Sequence, residues 1–262
     1  MGYGILKNNS YNKNFILLKT TIFVFIFSLC FDSFAKAPPE SFADLSDKVS
    51  PAVVNIATSV AVKDSPPREI PNFPPGSPFE EFFKDFNERG PSRRPSTALG
   101  SGFIISDDGL IVTNNHVIEG AEDIVVQVNG EKKFKAKVIG ADPLSDIAVL
   151  KIESKEKFLP VRFGDSDKAR IGDWVIAIGN PFGLGGTVTS GIISARNRSI
   201  GLSRYEDYIQ TDASINSGNS GGPLFDMNGD VIGINTAILG RSGSIGIGFA
   251  IPSNSAKVVI DQ

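Results

Sequence analysis

The chain contains one histidine, His116, in Thr113-Asn-Asn-His-Val117 at the end of an apolar run. With an unperturbed pKa of about 6.5, an imidazole is well suited to general base work near neutral pH. Ser220 lies in Gly218-Asn-Ser-Gly-Gly-Pro223, directly before the strand-like Leu224-Phe225. Glycines on both sides permit a sharp turn and a close approach by another chain. The amides of Gly218, Asn219 and Ser220 in that turn are candidate donors to an oxyanion, and those of Gly218 and Ser220 can point at one spot. A serine hydroxyl becomes a strong nucleophile when a base takes its proton, and the base works best when a carboxylate fixes its tautomer and stabilises its cation. Asp146, in Ser145-Asp-Ile-Ala-Val-Leu150 at the entry to an apolar strand, is expected to be that carboxylate. Asp142, in a turn before Pro143, and Asp165, in the polar turn Gly164-Asp-Ser-Asp167, compete for the role. The set His116, Asp146 and Ser220 is suited to nucleophilic acyl transfer.

The elements around these residues read as strands. From Gly100 onward, short apolar runs rich in Val and Ile alternate with turn signals: Asp108-Gly109 joins two runs, and Asn129-Gly130 and Asn228-Gly229 are strong two-residue hairpin turns. This spacing implies antiparallel sheet. A break near Lys155 to Leu159 divides residues 36–155 from 156–262, each half long enough for a small barrel. The fold expected is therefore all-β, two barrels with a cleft between them; His116 and Asp146 belong to the first half and Ser220 to the second. Before the strands, Ser41 to Val49 has helical spacing, with Ser41 as its cap and Pro51 beyond its end. A Pro-rich, charged stretch at about 63–98 reads as a long loop, carrying one apolar island at Phe79–Phe86.

Residues 1–35 read as a signal peptide: Lys7, Lys13 and Lys19 precede the uncharged run from Thr20 to Phe31, and Ser33-Phe34-Ala35 offers a cleavage site. The alternative, an uncleaved anchor, has Lys19 interrupting a run shorter than the ~20 apolar residues a bilayer needs. An extracytoplasmic, periplasmic location is expected. The one cysteine, Cys30, falls within the leader, so a mature chain would have no thiol nucleophile, disulfide or thiolate metal site. Net charge is −3, and loss of the leader makes the remainder slightly more acidic, which gives no electrostatic reason to expect nucleic-acid binding. With a single His no zinc site is expected; Asp226–Asp230 lacks the glycine of a calcium loop, and the glycine run 179–186 lacks the Lys-Ser/Thr of a phosphate loop. No cofactor or metal is expected.

Seven motifs in one order resemble the HtrA/Do (DegP-like) family of extracytoplasmic serine proteases, in the chymotrypsin clan: Gly100-Ser-Gly-Phe, Thr113-Asn-Asn-His-Val, Ser145-Asp-Ile-Ala-Val-Leu-Lys151, Gly179-Asn-Pro-Phe-Gly183, Gln210-Thr-Asp-Ala213, Gly218-Asn-Ser-Gly-Gly-Pro223 and Gly246-Ile-Gly-Phe-Ala-Ile-Pro252. The resemblance implies a chymotrypsin-like double barrel and ATP-independent cleavage of unfolded or damaged polypeptides by a homotrimer. It places activation loops at 179–187, 195–205, 215–219 and 238–244. Where trypsin-like relatives carry an acidic residue six positions before the nucleophile, this chain has Ser214. A pocket lined by Ile215, and by Ala237 if the family pattern carries over, would favour small or medium aliphatic residues before the cut. The family usually adds PDZ domains, and this chain stops at Gln262, where that connection would begin. The rival expectation is a holder of unfolded chains whose protease site is latent or inactive.

Overall fold

The computed structural model describes residues 39–60, 96–130, 132–179, 186–201, 206–216, 218–238 and 244–262. The signal peptide expected at 1–35 and nearly all of the stretch expected to be a loop at 63–98 lie outside these residues. Ser41–Gln262 form one compact unit. Among the described residues no helix is long and apolar enough to cross a membrane.

Among the described residues, twelve strands build the compact unit. The first six are β1 (Val53–Val60), β2 (Ser96–Ile104), β3 (Leu110–Thr113), β4 (Asp123–Val128), β5 (Lys132–Asp142) and β6 (Ile147–Ile152), which close into a barrel in the order β1-β2-β3-β6-β5-β4. The others are β7 (Trp174–Gly179), β8 (Thr187–Arg198), β9 (Tyr208–Thr211), β10 (Pro223–Phe225), β11 (Val231–Ile238) and β12 (Gly248–Pro252), closed as β10-β11-β12-β9-β8-β7. Read from β7, the second order repeats the first, so one six-strand topology occurs twice. All strand pairs of both barrels are antiparallel. The all-β double barrel expected from the turn spacing is the fold observed.

The hairpins form where turn chemistry demands them. Asn129 (φ 51°) and Gly130 (φ 71°) both occupy the left-handed region between β4 and β5, but Val128 pairs with Lys132, so the connection has three residues rather than the two expected. The Asn228-Gly229 turn lies in a five-residue connection between Phe225 of β10 and Val231 of β11, where Asp226 Oδ1 accepts hydrogen bonds from the amides of Asn228 and Asp230.

Helix α1 (Ala43–Val49) begins one residue later than a cap at Ser41 implies. Phe42 occupies the cap position without a side-chain bond, while Ser41 Oγ accepts the amide of Ala43 just outside the helix. Pro51 does not end the chain's helical path at once; it sits inside a 3-10 turn, Ser50–Ala52, where its missing N–H costs nothing. A four-residue helix, α2 (Asn115–Ile118), follows β3, and α3 (Ser253–Ile260) follows β12.

Alternation along the strands gives each barrel its own interior. In β4, Ile124, Val126 and Val128 point inward while Asp123 and Val125 face out. A third cluster joins the barrels: Val53, Phe103, Val112 and Ile147 from the first pack with Ile176, Phe225, Ile234 and Phe249 from the second, and with Val49 and Ala256 of the flanking helices. The connection 153–173 is stitched to both sides, through Val161 N–H to Ile104 O (3.0 Å) and Val231 N–H to Arg162 O (2.8 Å).

Phe103 has no exposed surface and meets Phe163 edge-on, with ring centroids 5.7 Å apart. Phe103→Ala is expected to cost about 3–5 kcal/mol of stability, measured as a lower denaturant midpoint in a single transition. A loss below about 1 kcal/mol would mean that the inter-barrel cluster does not hold the unit together.

Candidate active site

His116 is delivered by α2 immediately after β3, and its side chain is 46% exposed, open to the cleft. Asp146 stands at the entry of β6 with φ 56°, a left-handed backbone that costs a non-glycine residue free energy unless neighbours hold it. Here the neighbours are those around the histidine itself. Asn114 Nδ2–H donates to Asp146 O (2.8 Å), and Asn115 N–H reaches the same oxygen (3.2 Å). His116 N–H donates to Asp146 Oδ1 (2.9 Å), and His116 Nδ1 lies 2.8 Å from Oδ2. With Nδ1–H donating to the carboxylate, Nε2 keeps its lone pair, the tautomer that a general base needs.

The second barrel reaches across to the same carboxylate. Thr236, nearly buried on β11, donates its hydroxyl to Asp146 Oδ2 (2.7 Å). Burial on its own raises the Asp146 carboxyl; the hydrogen bond and charge of His116 and the Thr236 hydroxyl oppose it, and the balance lies below the usual carboxylate range. The competing carboxylates have other work. Asp142 accepts the amides of Leu144 (3.0 Å) and Ser145 (3.3 Å) within its own turn. Asp165 is drawn down to about 2 by Asn254 first, then by Lys168 and the amide of Asp167, and it ties α3 to the 3-10 turn at Ser166–Lys168.

Ser220 lies in a turn pressed against the strand that leads to the histidine. A Cβ on Gly221 (φ 81°) would fall 2.3 Å from Thr113 Oγ1 and 3.1 Å from Asn114 N, so only glycine fits there. Ser101 of β2 donates its amide to Ser220 O (2.9 Å) and its hydroxyl to Gly218 O (2.5 Å). From the other side, Gly221 N–H donates to Asn235 O (2.8 Å) and Asn235 Nδ2–H to Pro223 O (3.0 Å). No hydrogen bond joins Ser220 Oγ to His116, a separation common before substrate binds.

Two expectations need correction. The Asn219 amide is not a free oxyanion donor, because it donates to Asn216 O at 3.0 Å and closes the turn. The amides of Gly218 and Ser220 make no hydrogen bond within the described residues. Ile215 does not wall an open pocket: it is 1% exposed within the second-barrel core, filling the space that Gly248 vacates, where a Cβ would come 2.5 Å from its Cγ1. The Ala237 side chain lies outside the described residues. Sequence reasoning also passed over Asn114, Ser101, Asn235 and Thr236; the first two lie inside motifs that it had singled out, but nothing local tells which atoms they meet. Among the described residues no group of three or more His, Cys, Asp or Glu could hold a metal ion.

Because the folded-state pKa of Asp146 lies below its ordinary value near 3.8, its ionised form stabilises the fold above about pH 4, and that contribution is lost as pH falls through the lowered value. Thr236→Val removes one donor without changing side-chain shape much, so the carboxyl should titrate higher. Acid unfolding should then begin at higher pH than in the wild type, and an unchanged acid limb would show that the Thr236 bond contributes nothing.

A trypsin-like peptidase domain matches residues 100–234. The chain is 50% identical over 253 residues to a protein of Brucella suis named "probable periplasmic serine endoprotease DegP-like", covering 86% of this chain and 49% of the relative. It is 45% identical to the "probable periplasmic serine protease do/HhoA-like" of Haemophilus influenzae, covering 97% of this chain and 56% of that one. The chain thus spans about half the length of the curated relatives it matches. Among solved structures, the HtrA-type protease AlgW with a decapeptide superimposes with a TM-score of 0.69 at 44% identity, covering 84% of this chain and 66% of that one. The matched domain, these relatives and the twice-repeated barrel together establish that the chain belongs to the trypsin-like peptidase family, with the chymotrypsin-like double barrel of the HtrA-type serine endopeptidases.

Proposed function

We propose that the protein is a serine endopeptidase that cleaves unfolded or damaged polypeptides in the periplasm, with His116, Asp146 and Ser220 as its catalytic triad. The observation that carries this reading is the Asp146 carboxylate, held by His116 Nδ1 and Thr236 Oγ1 across from a glycine-flanked serine. In the first step His116 Nε2 takes the Ser220 hydroxyl proton as Oγ attacks the substrate carbonyl carbon. The oxygen becomes an oxyanion facing the amides of Gly218 and Ser220, and Asp146 stabilises the imidazolium. Collapse of the adduct expels the amine, which receives the proton from His116 and leaves an acyl-Ser220. A water molecule, deprotonated by the same imidazole, releases the acid and regenerates the serine.

Cleavage after small or medium aliphatic residues is the specificity proposed. It rests on Ser214, which offers no carboxylate to a Lys or Arg side chain. Relatives with "periplasmic" in their names support the compartment, and the signal peptide expected at 1–35 agrees with it. Solved relatives with bound tripeptide or decapeptide support polypeptide as the substrate class. A homotrimer is the assembly proposed, from the resemblance alone. A second reading, a holder of unfolded chains with a latent site, is favoured by the buried Ile215.

The test compares wild type and Ser220→Ala on unfolded casein at neutral pH, with cut sites mapped by mass spectrometry. Cuts after Val, Ala or Ile that disappear in the variant are expected, with a loss of at least about 10⁴-fold in rate. Cuts after Lys or Arg would overturn the specificity. Absence of cutting by the wild type, with casein kept soluble by both proteins, would favour the holder.

A further inference from the structure

Ser101 sits in β2 between two glycines and has no exposed surface. Its flanks allow the strand to press directly on the nucleophile turn: a Cβ on Gly100 would come within 2.6 Å of Val117 and 3.3 Å of Ser220 O. Its own carbonyl is fixed by Thr113 Oγ1–H at 2.7 Å, which leaves its amide and hydroxyl aimed at the turn of the other barrel. The amide takes Ser220 O and the hydroxyl takes Gly218 O.

These two bonds can be set against the peptide planes of the turn. The plane between Ser220 and Gly221 is held at both ends, by Ser101 N–H on the carbonyl and by Asn235 O on the amide. The plane between Asn219 and Ser220 has its carbonyl tied to Gly222 N–H at 2.9 Å, so the Ser220 amide points the opposite way. The plane between Gly218 and Asn219 is held by Asn216 O on the amide and by the Ser101 hydroxyl on the carbonyl. That last contact is the one made by a side chain, and it acts next to Gly218, whose φ of 108° lies in a region where glycine rotates at little cost.

We propose that Ser101, contributed by the first barrel, is a positioning residue for the oxyanion turn of the second: its hydroxyl anchors the Gly218 carbonyl, and thereby keeps the amides of Gly218 and Ser220 converged on one point. This rests on the serine endopeptidase reading. Without the hydroxyl, Gly218 O is left buried with no donor, and rotation about Gly218 becomes the way to satisfy it. That rotation carries the Gly218 amide out of line with the Ser220 amide. Donor geometry matters because an oxyanion hole acts through preorganisation, and losing one donor lowers rate by about 10²–10³-fold. The barrels are thus coupled twice at the site, by Thr236 on the acid and by Ser101 on the nucleophile turn.

The experiment uses Ser101→Ala and Ser101→Thr beside the wild type, with a peptide substrate, a peptide aldehyde whose bound adduct carries the oxyanion, and titration of active serines with a fluorophosphonate. In Ser101→Ala, kcat per titrated site is expected to fall about 10–100-fold, within the range for a misplaced donor, with KM changed by less than about twofold. Aldehyde affinity should fall by the same factor as kcat/KM, and Ser101→Thr, which keeps a hydroxyl, should recover most of both. The proposal is overturned if kcat per titrated site stays at the wild-type value while only thermal stability or the titratable fraction drops, or if aldehyde affinity does not follow kcat/KM. If the wild type itself shows no cleavage that depends on Ser220, the endopeptidase reading falls and takes this proposal with it.

Discussion

The left-handed backbone of Asp146 is the constraint around which the site is assembled. An aspartate at φ 56° faces its carbonyl and its carboxylate toward the same short segment, Asn114-Asn115-His116, and that segment answers with donors to both. The conformation is intrinsically disfavoured, so the hydrogen bonds that compensate it also fix the histidine's position and tautomer. The Thr236 hydroxyl extends the arrangement into the second barrel. A residue at this position with a relaxed backbone would point one group or the other away from His116.

A carboxylate of this kind must be dry enough to act strongly and wet enough to remain charged. The Asp146 side chain is 25% exposed, and its donors outweigh the burial that opposes ionisation. The nucleophile turn shows the same economy of placement. Ser101 and Thr113 come from the first barrel and Asn235 from the second, and between them they leave the Gly218 and Ser220 amides as the turn's open donors. Adjacent residues on β11, Asn235 and Thr236, therefore hold the nucleophile turn and the acid respectively. The inter-barrel cluster around Phe103, Phe225 and Phe249 keeps these two sets of contacts in register.

Much of this was legible in the chain because it depends on local chemistry. Turns are written in short signals such as Asn129-Gly130, because both residues take the left-handed conformation at little cost, although the register Val128–Lys132 makes the connection one residue longer than the signal implies. Strand interiors are written in a period of two, as in β4. The start of α1 was placed too early because a serine near a helix start is read as its cap, whereas packing of Phe42 against Trp174, with centroids 5.7 Å apart, sets where the helix begins. Sequence shows which amides are near one another and not which way each peptide plane faces, so only the structure separates the Asn219 amide, bonded to Asn216 O, from those of Gly218 and Ser220.

The sequence by itself determined the residue types of the candidate triad, their order along the chain, the glycines that permit a tight turn at Ser220, and the antiparallel character of both halves. These follow from side-chain chemistry and short-range backbone preference, and they need no knowledge of distant contacts. Only the tertiary structure decided that Asp146, not Asp142 or Asp165, meets His116, that Ile215 is drawn into a barrel core, and that Ser101 and Thr236 reach across the cleft. Each of those outcomes depends on closing two barrels against each other. That closure brings together atoms far apart in the chain, at distances set by packing as a whole and by no single stretch of residues.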